Sequence, residues 1–284
     1  MRSRGTLLVG LTAVVLIATA ASAQGAVTIG SNLASTVAGT SYNCGVPCTT
    51  ANLALTTDVA PNGLTSPVNG TVTSWRVKSG STGNPLKLRV LTLGTALTFT
   101  GAGTSAIGTT TGGGIDGPFA TSLPIKIGDA IGIDISNSAL IFADNAAGTQ
   151  VYWNMPQLAD GSPRAGLTRN ATETLVQATV EPTSTLGLSA QPVLNKKKGT
   201  ATLTISVPNP GQLDFSGTGV NIAETAAVKT VTAPGPVKFL IRATGKKLKK
   251  KGKVGVTATF TFTPTGGAAS TQSTSLKLRK KLKK

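Results

Sequence analysis

From Lys253 the chain reads Val254-Gly255-Val256-Thr257-Ala258-Thr259-Phe260-Thr261-Phe262, with apolar side chains at even positions and glycine or threonine at odd ones. A period of two gathers the apolar groups on one side of an extended strand, whereas a helix would scatter them around its axis. The segment therefore predicts a strand with one buried face. The pattern recurs elsewhere. Leu203, Ile205 and Val207 interleave with Thr202, Thr204 and Ser206, and Val237, Phe239 and Ile241 with Lys238, Leu240 and Arg242. Earlier in the chain Trp75 and Val77 alternate with Arg76 and Lys78, Leu86, Leu88 and Val90 with Lys87 and Arg89, and Ile131, Ile133 and Ile135 with Gly132 and Asp134. No run has helical periodicity, so the expected class is all-β.

Turn residues divide these strands at Pro61-Asn62-Gly63, Asn69-Gly70, Asn209-Pro210-Gly211 and Pro264-Thr265-Gly266-Gly267. A composition shift near Glu181-Pro182-Thr183 marks a boundary. Residues 24–182 are expected to form a jelly-roll-like antiparallel sandwich. Residues 183–284 are expected to form an Ig-like β-sandwich ending in a cationic tail. The core Cys pair and Trp of antibody domains are absent from the second half, so Ig-like denotes architecture alone. The Gly-rich stretch 101–117 lacks the Gly-Lys-Ser/Thr ending of a phosphate loop and reads as a surface loop.

Pro208-Asn209-Pro210-Gly211 leads into Leu213 and Phe215-Ser216-Gly217, followed by Leu248-Lys249-Lys250-Lys251-Gly252-Lys253-Val254 and Thr261-Phe262-Thr263-Pro264-Thr265-Gly266-Gly267. This segment resembles the basic Ig-like module that recurs in secreted proteins of high-GC Gram-positive bacteria. The first half is similar to the β-sandwich domains found beside such modules. The resemblance implies export and architecture, and it carries no activity.

Arg2 and Arg4, the apolar run 5–20 and the small-x-small sequence Ala21-Ser22-Ala23 form the pattern of a secretory signal peptide, residues 1–23, cleaved before Gln24. The apolar run falls short of the ~20 residues that span a bilayer, and no later stretch reaches that length, so no transmembrane segment is expected in the mature chain. Export to an oxidising compartment predicts a disulfide between Cys44 and Cys48 of the Cys-Gly-Val-Pro-Cys sequence. The expected location is extracellular or at the cell surface.

Charge is divided unevenly. Residues 183–284 carry sixteen Lys, Arg242 and Arg279 against Asp214 and Glu224, a net +16, while residues 24–182 sum to −1. The lysines lie in three clusters: Lys196, Lys197 and Lys198; Lys246, Lys247, Lys249, Lys250, Lys251 and Lys253; and Lys280, Lys281, Lys283 and Lys284 beside Lys277 and Arg279. Such clusters protect sheet edges and keep a chain soluble. They also attract polyanions, so an anionic cell-envelope polymer or acidic polysaccharide is the expected partner. Lys outnumbers Arg, and Phe239, Phe260 and Phe262 point inward, which argues against specific nucleic-acid recognition.

The chain has no His, which removes the commonest general base and transition-metal ligand. No enzyme activity, cofactor or metal is expected. The carboxylates Asp116, Asp129, Asp134, Asp144, Asp160 and Glu173 serve a hydrolase only if two of them converge in a cleft. Asp129 is expected in a turn and Asp134 on a solvent face. The alternative to the polyanion reading is a lectin-like module in which an exposed ring of Tyr152 or Trp153 stacks on a sugar.

Overall fold

The computed structural model describes residues 26–38, 44–189, 191–221, 227–244 and 247–281. The expected signal peptide, Lys246, Lys283 and Lys284 lie outside these residues, and of Lys247 only the backbone is described.

The chain is all-β apart from one short helix. The first half supplies β1 (Val27–Gly30), β2 (Cys48–Leu55), β3 (Gly70–Ser79), β4 (Thr82–Leu93), β5 (Thr98–Thr104), β6 (Gly108–Thr111), β7 (Gly114–Ile125), β8 (Ala130–Ile135), β9 (Phe142–Trp153), β10 (Pro163–Ala165), β11 (Leu167–Thr174) and β12 (Val176–Pro182). The second supplies β13 (Gly187–Leu188), β14 (Val193–Asn195), β15 (Thr200–Val207), β16 (Gly211–Thr218), β17 (Val228–Val231), β18 (Gly235–Ile241), α1 (Lys247–Lys251), β19 (Lys253–Pro264) and β20 (Ser270–Arg279).

The sheets are antiparallel, and each draws its strands from one half of the chain. A four-stranded sheet β1-β12-β3-β7 faces an eight-stranded sheet β10-β5-β4-β8-β2-β9-β11, in which β6 joins β4. Their inner faces share a core in which Val27, Ile29, Val72, Trp75 and Val180 of the first meet Leu86, Leu88, Ile133 and Ile135 of the second. In the second half β15 pairs with β13 and β14 on one edge and β18 on the other, and this sheet faces β17-β16-β19-β20. Leu203, Ile205, Phe239 and Ile241 pack there against Phe215, Val256, Phe260 and Phe262, all but Phe215 picked out by alternation. Cys44 and Cys48 are joined by a disulfide, with Cys48 fully buried in the first core.

Two expectations about the first sandwich fail at this level. The stretch 101–117 is not a loop: it lies largely in β5, β6 and β7. Two of its glycines sit where neighbours come too close for a side chain, since a Cβ on Gly101 would fall 2.8 Å from the Ala159 carbonyl and one on Gly108 2.8 Å from the Trp75 ring. Asp134 is not on a solvent face: it is 5% exposed. The eight-stranded sheet is covered on both sides, by the sister sheet on one and by irregular segments on the other. Residues 154–162 lie over it beside a second apolar cluster of Ala51, Leu91, Phe99, Val151, Trp153 and Leu158. Segment 31–38 is pinned by the buried Glu173, which accepts hydrogen bonds from Ser31 Oγ at 2.5 Å and Ser35 Oγ at 2.8 Å.

The two sandwiches meet through a pair of asparagines. Asn209, fully buried, donates from Nδ2 to the carbonyls of Asn69 (2.8 Å) and Thr183 (2.7 Å) and accepts at Oδ1 from Asn69 N (2.6 Å). Asn69 Nδ2 returns a bond to the Pro208 carbonyl at 2.8 Å.

Candidate polyanion-binding site

The strand directions decide where the lysines go. β15 begins, β19 begins and β20 ends at the same end of the second sandwich, because β19 and β20 are antiparallel with Lys253 opposite Arg279. Three clusters far apart in sequence thereby become neighbours. In the turn between β14 and β15, Asn195 Oδ1 accepts from Lys198 N at 3.0 Å, and the Asn195 carbonyl accepts from Gly199 N at 2.7 Å. The end of the chain docks on this turn: Lys281 N donates to the Lys196 carbonyl at 2.9 Å, and Lys280 N to the Gly252 carbonyl at 2.8 Å.

Gly199 makes the junction possible. Its φ is +74°, and a Cβ there would lie 2.8 Å from Leu248 Cδ2 and 3.1 Å from Lys280 Cβ. Leu248, the buried residue of α1, packs under the turn, so Lys249, Lys250 and Lys251 are left facing solvent. Lys196, Lys197, Lys198, Lys253 and Lys281 are also exposed, and Lys280 is half-buried. Between the clusters runs a cleft of about 680 Å³, lined by Lys197, Lys198, Arg242, Lys249 and Lys280 with Asn195 and Leu248, and without a carboxylate among its described lining residues. Like charges crowded at one pole repel one another, and an anion laid across them relieves that repulsion. Ammonium groups on long stems provide diffuse attraction rather than a shaped fork for one ligand. Sequence clustering located these residues. Their convergence depends on the sheet pairing, which no local pattern encodes.

Tyr152 and Trp153 offer no stacking platform of the expected kind. Trp153 is 1% exposed, packed edge-on against Phe99 at 5.2 Å between ring centroids, and its Nε1 donates to the Arg164 carbonyl. Tyr152 is half-buried against the first core, with the Arg169 guanidinium 5.3 Å from its ring centroid.

Two of the carboxylates do converge, around a residue the sequence reading did not single out. Arg89 Nε lies 3.3 Å from Asp134 Oδ1, and Arg89 Nη1 lies 2.9 Å from Asp160 Oδ1. Thr49 Oγ1 donates to Asp134 at 2.6 Å, and Thr104 Oγ1 to Asp160 at 2.9 Å. Asp134 and Arg89 border a hollow of about 670 Å³ formed with Pro47, Met155, Pro156 and Gln157. A guanidinium between the two acids and a hydroxyl on each make this a compensated ion cluster. Asp116, Asp129 and Glu173 are each engaged by neighbouring hydroxyl or backbone donors elsewhere.

Burial pushes the Asp134 carboxyl above the ordinary aspartate range, against the opposing pull of Thr49 and Arg89. The folded chain thus holds this proton more tightly than the unfolded chain. The resulting stability is fully present below about pH 4 and is lost as pH rises through the folded-state value. Asp134→Asn is expected to remove that slope, read as the difference between variant and wild-type unfolding free energies from about pH 3 to pH 7. Parallel curves would mean that Asp134 titrates alike in both states.

Among the described residues no helix is long and apolar enough to cross a membrane. No protein-family model matches the chain, and no curated protein matches it.

Proposed function

We propose that the protein is an exported, non-enzymatic surface or matrix protein whose basic pole holds an anionic envelope polymer by electrostatic attraction. The observation that carries this reading is the gathering of Lys196–Lys198, α1 and the end of β20 around one cleft. The leader-like N-terminus of the sequence supports export, and the near-neutral first half confines the attraction to the second sandwich.

A cation close to an anionic surface contributes about 1 kcal/mol. Changing Lys197, Lys198, Lys249 and Lys280 together to Gln is therefore expected to weaken retention on purified cell envelope by about two decades or more at low salt. Wild-type retention is expected to collapse as salt rises from 0.1 M to 1 M and the Debye length shrinks from about 10 Å to about 3 Å. Co-sedimentation across a salt series measures both. Equal retention of the variant, or binding indifferent to salt, sinks the reading.

A further inference from the structure

The outer face of the β17-β16-β19-β20 sheet is floored with hydroxyls. Register aligns them in rows across three strands: Thr218, Thr257 and Ser275, then Ser216, Thr259 and Ser273. In the second row Thr259 and Ser273 hydrogen-bond each other at 2.8 Å, as do Thr261 and Thr271 one row further on. Thr257 and Ser275 make no such bond, and among the described residues their outward-facing hydroxyls have no side-chain partner.

The next row toward the basic pole pairs Gly255 with Lys277, and the row beyond pairs Lys253 with Arg279. Gly255 leaves an open place between hydroxyls and cations, a hollow of about 790 Å³ whose lining includes Thr218, Thr244, Gly255, Thr257, Ser275 and Lys277. Glycine inside a strand usually marks a bulge or a close backbone approach. Neither requires it here. Its φ is not in the left-handed region, and a Cβ would meet no atom within 4 Å. The fold does not need this glycine; β16 parts from β19 after Thr218, which opens the hollow, and Gly255 keeps its floor clear of a side chain.

We propose that the hollow seats a sugar ring of an acidic polysaccharide. The hydroxyls of Thr257, Ser275 and Thr218 exchange hydrogen bonds with the ring hydroxyls, and Lys277, with Lys253 and Arg279 beyond it, takes the acidic group. Side-chain hydroxyls both donate and accept, which suits a polyol; a sugar-free polyanion offers only acceptors, which ammonium groups already satisfy. The nearest carboxylate described on this face, Asp214, lies six residues along the sheet from Gly255, about 20 Å away, so it does not oppose the ligand charge. This inference rests on the polyanion reading and narrows its ligand to a sugar-built polymer.

Gly255→Leu sets a side chain on the floor of the hollow, on the sheet face away from the core. Binding of the full chain to polygalacturonate and to inorganic polyphosphate is compared for wild type, Gly255→Leu and the double variant Thr257→Val/Ser275→Ala, with thermal unfolding as the control for folding. The expected result is about tenfold weaker polygalacturonate binding for both variants, polyphosphate binding unchanged, and an unchanged melting temperature. Unaltered polygalacturonate binding by both folded variants overturns the sugar seat while leaving the electrostatic pole standing. An equal loss for both polymers overturns its selectivity for sugar. Failure of the wild type to bind either polymer removes the polyanion reading and the seat with it.

Discussion

Arg89→Met is expected to destabilise the first sandwich by about 3–5 kcal/mol at neutral pH, because it leaves Asp134 charged and buried without its cation. The Arg89 and Asp134 side chains are 6% and 7% exposed, so water cannot replace the lost partner. Asp160, half exposed, can hydrate on its own and adds little. Chemical denaturation measures the loss. Two further results identify its cause. The deficit should shrink in acid, where Asp134 takes up a proton, and adding Asp134→Leu to Arg89→Met should recover most of it, since exchanging a whole buried pair for apolar groups is often neutral. A deficit independent of pH and untouched by the second change would assign the effect to packing of the arginine stem.

Asn209→Ala ranks next. It leaves the half-buried Asn69 amide without its acceptor, which costs about 1–3 kcal/mol, while the carbonyl of the exposed Thr183 turns to water, and a loss of about 2 kcal/mol is expected. The effect has a distinctive form, because these bonds join the sandwiches rather than either core. Wild type should unfold in one thermal transition and the variant in two. Unchanged calorimetric profiles, with the Asn69 amide still protected from exchange, would show that the asparagines do not couple the halves.

The strands were legible because one face of each meets the shared core, as Val256, Ala258, Phe260 and Phe262 illustrate. Alternation fails where both faces are covered. β8 is buried along its whole length, so Gly132 and Asp134 occupy positions that period-two patterning assigns to solvent. What covers them is segment 154–162, an irregular stretch whose placement no periodicity marks. The asparagine pair was hidden differently. Asn69-Gly70 and Pro208-Asn209-Pro210 are strong turn signals, and turns are expected at the surface, yet here two turns bury each other. The lysine clusters were visible one by one, and the Gly255 hollow was not. A glycine in a strand reads as a weakness until the residues across from it are known.

The asparagine contact and the lysines lie at opposite ends of the second sandwich. β19 begins at Lys253 beside the lysines and ends at Pro264, paired with Gly211 next to Asn209. Its 12 residues span about 40 Å. At 0.1 M salt that is about four Debye lengths. On the proposed function the second sandwich is a stand-off: changes in pH and ion concentration at the surface of a polymer held by the lysines decay before they reach the other end, and the first sandwich is presented to the conditions of bulk solvent.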